Sequence, residues 1–259
     1  MKKMSLPPKS TTIFSLPFPA WSKQEAHVWL CDAAEQHERC VKIYTPNPQM
    51  LLHAHQSPAF HAVLRRADLL LPDGIGVVLA SRLSQAPLPQ RIAGIDRGRD
   101  LLSFAAQSGL TVAFLGARQG IAEQAAARLK KALPDLHVCY THHGYFDVRG
   151  KENATIISEL REAAPDLLFV CLGSPAQEEW IDRFSGCIPS LRLCIGLGGS
   201  LDVWAGTLRR APAPISACGL EWLWRTLRQP RRARIFLDIP HFLFLILREK
   251  NQKTFVDQT

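Results

Sequence analysis

The residues with the most chemical promise stand where an apolar run breaks off: Leu69-Leu70-Leu71-Pro72-Asp73-Gly74-Ile75-Gly76. The run reads as a buried strand, and the stretch from Gly74 to Leu83 as a helix. Asp73 therefore falls at the C-terminal edge of a sheet, where open α/β folds place their ligands. A carboxylate at such a junction has two readings. It can cap the following helix, because Asp is a favoured N-cap residue, or it can take a proton from a reacting group. Position alone does not separate them.

Other reactive or hydrogen-bonding side chains recur at comparable junctions. Tyr44-Thr45-Pro46-Asn47-Pro48-Gln49-Met50 closes one strand, and Gln90-Arg91-Ile92-Ala93-Gly94 follows a Pro-rich loop. Leu115-Gly116-Ala117-Arg118, Leu172-Gly173-Ser174-Pro175 and Gly196-Leu197-Gly198-Gly199-Ser200 are glycine-bearing strand exits. Each glycine eases a turn. Three such loops at one end of a sheet form a rim where backbone N–H groups can approach phosphates. None matches G-x-G-x-x-G or the P-loop pattern, so sites of those kinds are not indicated.

The elements that must position these residues alternate along the chain. Strand-like runs span residues 41–45, 68–71, 111–115, 137–141, 166–172 and 191–197. Helical patterns span 23–37, 58–66, 74–83, 96–108, 119–133, 152–163 and 177–184. Alternation of this kind predicts an α/β fold with a mostly parallel, Rossmann-like sheet flanked by helices. From residue 209 the alternation stops, and a helical, basic, Trp-bearing appendage follows. The predicted organisation is an N-terminal extension (1–22), an α/β core (23–208) and the appendage (209–259).

The chain has 259 residues and a formal net charge of +8, and its location matters more than its size. Between Trp222 and Lys250, seven basic residues face two acidic ones. Nucleic acid, an anionic membrane or a phosphorylated ligand would each suit that stretch. Residues 235–247 are almost continuously apolar but too few to span a bilayer. With the arginines before them they read as an interfacial helix on an anionic leaflet. The competing readings are a helix docked on the protein's own core, or an oligomer contact. The N-terminus has prolines at 7, 8, 17 and 19 and no apolar core of the kind a signal peptide needs. The cysteines show no C-x-x-C spacing and read as buried small hydrophobes in a reducing compartment. His53-Ala54-His55, His61 and His142-His143 invite a metal reading, but no Cys or carboxylate stands at ligand spacing with them.

Read in order, the pieces T-P-N-P-x-M from Thr45, L-P-D-G-I-G-V from Leu71, R-x-x-G from Arg91, H-G-Y-F from His143, G-S-P-x-Q-E from Gly173, G-x-G-G-x-x-D from Gly196, R-A-P from Arg210 and G-L-E-W-L-x-R from Gly219 resemble the WecG/TagA/CpsF family of bacterial glycosyltransferases. The resemblance runs from about Val41 to Arg234. It implies transfer of a hexose or N-acetylhexosamine (of the N-acetylmannosamine type) from a UDP-sugar to an undecaprenyl-diphosphate-linked sugar, in cell-surface polysaccharide synthesis. It further implies inversion at the anomeric carbon, no metal or other cofactor, and a cytoplasmic protein bound peripherally to the inner face of the membrane. The chain contains no D-x-D, the metal-diphosphate clamp of many glycosyltransferases.

By that resemblance Asp73 is the base, and Thr45, Asn47 and Arg91 complete the catalytic group. Gln177, Gly173, Gly198, Gly199, Asp202, Arg225 and Arg232 are substrate-binding candidates. Thr45 and Asn47 could bond sugar hydroxyls or merely stiffen a turn between prolines. Arg91 could meet a leaving phosphate or be a solvated loop charge. A carboxylate at a helix N-terminus is stabilised as an anion and is a weaker base for it, so Asp73 would act largely by orienting the acceptor hydroxyl. The chain departs from the family pattern at Gln90, Ala176 and Ile235, where Glu, Lys and Arg are common. The rival readings are a non-catalytic nucleotide- or nucleic-acid-binding α/β protein, with no enzyme activity, and another α/β transferase such as a methyltransferase.

Overall fold

The computed structural model describes residues 10–36, 38–83, 86–212, 215, 221–228 and 235–256. A hairpin of β1 (Ser10–Ile13) and β2 (Leu16–Pro19) leads into α1 (Lys23–Glu35). Then come β3 (Val41–Tyr44), α2 (Pro48–Gln56), α3 (Pro58–Arg65), β4 (Leu69–Leu70), α4 (Ile75–Ser81), α5 (Gly94–Ser108) and β5 (Thr111–Gly116). They are followed by α6 (Ile121–Ala132), β6 (His137–His142), α7 (Lys151–Ala163), β7 (Leu167–Cys171), α8 (Ala176–Phe184), β8 (Leu193–Gly196) and α9 (Ser200–Ala205). In the appendage lie α10 (Glu221–Arg228) and α11 (Ile235–Val256).

Six strands form one sheet in the order β4-β3-β8-β7-β5-β6, every pair parallel. The reason is visible in the strands. Leu167–Cys171 and Leu193–Gly196 are buried throughout, as strands covered on both faces must be. One apolar layer joins the sheet to α1, α5, α6 and α9. The other joins it to the hairpin, α2, α3, α7 and α8, and takes in Phe242 and Ile246 of α11. The expected Rossmann-like α/β architecture is the one observed.

Three elements escaped the sequence reading. The hairpin is one: it lies in the stretch read only as an N-terminal extension, yet Leu16 and Phe18 are fully buried. The second is α2, where Asn47 accepts the Met50 N–H at 3.0 Å and Pro48 opens the helix. Proline at a first helical position is a start signal; the helical patterns read from the sequence omit this segment. The third is the short α9, which follows the last glycine loop directly.

Chain direction diverges inside the sheet. β5 leads outward to β6, whereas its neighbour β7 leads inward to β8. Such a switch leaves a crevice at the strands' C-terminal ends. There Gly116 (φ 143°) and Gly173 (φ 82°) hold left-handed backbone, which glycine adopts without the Cβ penalty.

Candidate active site

Asp73 does not cap its own helix. The N-cap position of α4 is Gly74, at φ 106°, with no side-chain cap bond. Gly74 and Gly76 let α4 lie against Pro48: a Cβ on Gly76 would come within 2.7 Å of the proline ring. The Asp73 carboxylate instead turns across to the next segment. One oxygen accepts from Arg91 Nε at 2.9 Å, and the other receives the Gly94 N–H at 3.4 Å. Gly94 opens α5, so Asp73 stands at the positive end of a different helix from the one its sequence position implied.

Arg91 is held from both sides. Its second terminal nitrogen donates to Glu221 Oε2 at 3.0 Å. Glu221 begins α10 and is buried, with Arg210 Nε 3.8 Å from its other oxygen. Arg210 also donates to Asp96 at 3.0 Å. Three carboxylates and two guanidiniums therefore alternate from the sheet edge to the appendage. Burial works against the charge of Arg91, but Asp73 and Glu221 outweigh it and keep the guanidinium more firmly protonated than usual. At Asp96, burial favours the neutral acid, and the bond from Arg210 reverses this and holds its carboxyl below the ordinary range.

Around this chain of charges lies a cavity of about 140 Å³, lined by Thr45, Asn47, Asp73, Arg91, Gly94, Leu197 and Gly199 from the core and by Glu221, Trp222, Thr226 and Ile239 from the appendage. It is smaller than the ~300–1,000 Å³ usual for ligand pockets; the appendage helices form the wall that narrows it.

The core is cut to bring these residues close. Thr45 Oγ1 donates to the Gly196 carbonyl at 3.2 Å, tying the ends of β3 and β8 together. A Cβ on Gly94 would meet Thr45 at 2.9 Å, and one on Gly98 would meet Leu197 at 2.6 Å. Small residues on α5 thus set how near Asp73, Thr45 and Leu197 can lie.

The remaining sequence candidates are placed differently. Asn47 lines the cavity, but its side-chain oxygen is engaged as the α2 cap. Gln177 is buried and turned inward. Its Oε1 accepts the Gly198 N–H at 2.8 Å, and its Nε2 donates to Glu178 Oε1 at 2.6 Å. It shapes the Gly196–Gly199 loop and does not line the cavity. Gly173, Gly198 and Asp202 also lie outside the cavity lining, on the rim of β7 and β8. Arg225 lies on α10, but its side chain, like the whole of Arg232, is outside the described residues.

Glu221, Arg210 and Asp96 were not singled out from the sequence. Arg210 and Glu221 stood in motif pieces whose role was open. The usable signal was a Glu followed by Trp222, Leu223 and Trp224, since Glu is rarely buried unless paired. Nearby, burial pushes Glu178 up to about 7 against the bonds from Gln177 and Ser174 that favour its anion.

A Rossmann-like sheet with a guanidinium-clamped carboxylate facing a cavity at its C-terminal edge defines an α/β enzyme of the group-transfer kind. Such a site can orient a hydroxyl, accept its proton and hold negative charge nearby. The chain belongs to the glycosyl transferase WecG/TagA/CpsF family, whose model matches residues 11–255, and it is a glycosyltransferase. Among its relatives is the N-acetylglucosaminyldiphosphoundecaprenol N-acetyl-beta-D-mannosaminyltransferase of Bacillus spizizenii, 38% identical over 208 residues, which are 80% of this chain and 79% of the relative. The enzyme of the same name from Bacillus subtilis is 34% identical, with 82% of each chain covered. That of Staphylococcus aureus is 33% identical, covering 85% of this chain and 84% of the relative.

Proposed function

We propose that the protein transfers an N-acetylmannosamine-type sugar from a UDP-sugar to a sugar carried on undecaprenyl diphosphate, with inversion and without a metal. The observation that carries this reading is the Asp73–Arg91–Glu221 chain of charges closing a cavity at the sheet edge. The relatives' names supply the sugar and the lipid-linked acceptor.

The acceptor hydroxyl attacks the anomeric carbon, and a new C–O bond forms there. The bond from that carbon to the diphosphate oxygen breaks, and UDP leaves with the electron pair. Asp73 orients the hydroxyl and takes its proton. Thr45, already bonded to Gly196, keeps the sugar-facing edges of β3 and β8 in register. The donor nucleotide fits the crevice between β5 and β7, where the space beside Gly173 is open to phosphate. The Gly198–Gly199 loop lies between that crevice and Asp73. Negative charge building on the leaving diphosphate is met by Arg91 and by backbone N–H groups.

The acceptor is a membrane lipid, and α11 has a face for the membrane. Phe242 and Ile246 pack inward, Phe242 edge-on to Phe14 at 5.8 Å. Phe236, Leu237, Phe244 and Leu247 are exposed and share an arc of about 100° on the helix. Among the described residues no helix is long and apolar enough to cross a bilayer. The helix is therefore both docked and amphipathic, and its outer face suits the interface of the inner leaflet.

The test is UDP release from a panel of UDP-sugars, with N-acetylglucosaminyl-diphosphoundecaprenol presented in anionic vesicles. Wild type is expected to sediment with the vesicles and to prefer the N-acetylmannosamine donor. Asp73→Asn is expected to sediment equally and to lose about 10²–10⁴-fold in turnover. Near-normal turnover by Asp73→Asn removes Asp73 as base, and protein left in the supernatant removes the membrane reading.

A further inference from the structure

At the opposite edge of the sheet from Asp73, the fold assembles a group that the linear spacing concealed. β6 ends at His142, His143 follows, and Glu152 stands in the first turn of α7. One ligand-capable atom from each lies within 4.8 Å of the others. His142 Nε2 is 4.0 Å and His143 Nε2 3.9 Å from Glu152 Oε1. These separations are too long for hydrogen bonds. They are slightly wider than the ~3.4 Å between ligands of a tetrahedral ion with bonds of ~2.0–2.1 Å. A contraction of about half an ångström at the half-exposed Glu152 closes the two His–Glu separations, and the two imidazole nitrogens, within 4.8 Å of each other, close by rotation of the His143 ring.

The imidazole of His142 is prepared for this role. Its Nδ1 lies 2.8 Å from the His143 carbonyl oxygen, to which only an N–H can donate. That assigns the proton to Nδ1 and leaves Nε2 with a bare lone pair. A backbone carbonyl orienting the far nitrogen is the usual support of a metal-bound histidine. The ring is also fixed sideways: it is near-parallel to Tyr140 and edge-on to Phe146 at 5.9 Å. His143 is less committed. Its Nδ1 accepts a long 3.3 Å bond from the Tyr145 N–H, and ligation through Nε2 replaces that bond by a ring rotation.

We propose that His142, His143 and Glu152 form a site for a divalent cation of the zinc class, with three protein ligands and one open position. The donor set is of the imidazole and carboxylate kind that zinc takes. With five strand spacings between β4 and β6, the site lies about 24 Å from Asp73, so it takes no part at the reacting atoms. Its position gives it another consequence. The loop after β6 leans on the β5 rim, with the Gly144 N–H donating to the Ala117 carbonyl at 2.8 Å, and a Cβ on Gly144 would strike Leu172 at 2.8 Å. An ion joining His142 and His143 to α7 pins that loop beside the switch-point crevice.

The proposal is tested without turnover, by titrating the chelator-treated full chain with Zn²⁺ against a chromogenic chelator and recording X-ray absorption of the one-equivalent sample. Expected are one equivalent of tight sites, a nitrogen/oxygen shell without sulfur, and at least tenfold weaker binding in Glu152→Gln and in His142→Ala. Glu152 is half-exposed, so Glu152→Gln reads the site without disturbing the fold. A sulfur shell would place the ion on the cysteines and overturn the proposal. So would unchanged affinity in either variant, or no binding at all.

Discussion

The two halves of the sheet's C-terminal rim solve different problems with different materials. Beyond β3 and β4 the rim is built from charge: Asp73, Arg91, Glu221, Arg210 and Asp96 alternate in sign, and the appendage closes over them. Beyond β5 and β7 it is built from backbone: Gly116 and Gly173 in left-handed conformation, with Gln177 and Glu178 buried behind. On the function proposed above, the first half accepts a proton and faces developing charge, and both call for ionised side chains. The second, on the same reading, admits the donor phosphate, and Gly173 has no Cβ to hold it off. The first is sensitive to losing a charge and the second to gaining a methyl group.

The comparison is broken most severely on the charged side. Arg91→Met removes the cation shared by Asp73 and Glu221 and leaves a buried carboxylate short of a partner. Steady-state kinetics are expected to show a loss of about 10²–10³-fold in kcat. Thermal unfolding should show a drop of about 3–5 kcal/mol. A variant as active as wild type would make the chain of charges structural decoration.

On the glycine side the expected change is in stability. A Cβ on Gly116 would lie 2.3 Å from the Cys171 carbonyl oxygen, at a backbone φ of 143°. Strain and overpacking together predict that Gly116→Ala costs about 2–5 kcal/mol in denaturant unfolding. Its loss of activity should be in donor KM more than in kcat.

The third and smallest effect sharpens the contrast. Glu178 keeps its proton in the fold up to about pH 7, whereas in the unfolded chain it ionises near the ordinary carboxylate value. Between roughly pH 4.5 and 7 the native state thus binds more protons. Stability is expected to fall as pH rises through that window, by on the order of 3 kcal/mol, and to level off above it. Glu178→Gln should flatten that slope in urea titrations across the window. An unchanged slope would assign the dependence to other carboxylates.

Much of this was legible in the chain. Buried parallel strands announce themselves as unbroken apolar runs, and each of the six strands of the sheet matches a run read as a strand, with β5 and β6 each extending one residue beyond it. Asp73 could be placed at a sheet edge for the same reason. Glu221 could not: its approach to Arg91 is set by how the appendage folds back, and no local periodicity encodes it. Gln177 shows the converse. Its position beside the rim was readable, but which way a buried amide points depends on the Gly198 N–H and the Glu178 carboxylate around it. The hairpin was missed because alternating prolines hide two short edge strands, where proline is tolerated.

Arg91 divides its charge between a reacting carboxylate and a carboxylate that opens α10. In the proposed reaction Asp73 takes the acceptor's proton, and Arg91 is then left facing Glu221. On the proposed mechanism, the reaction at the sheet edge and the docking of the appendage are therefore coupled through Arg91. Catalysis and closure are in this sense two readings of a single charge balance.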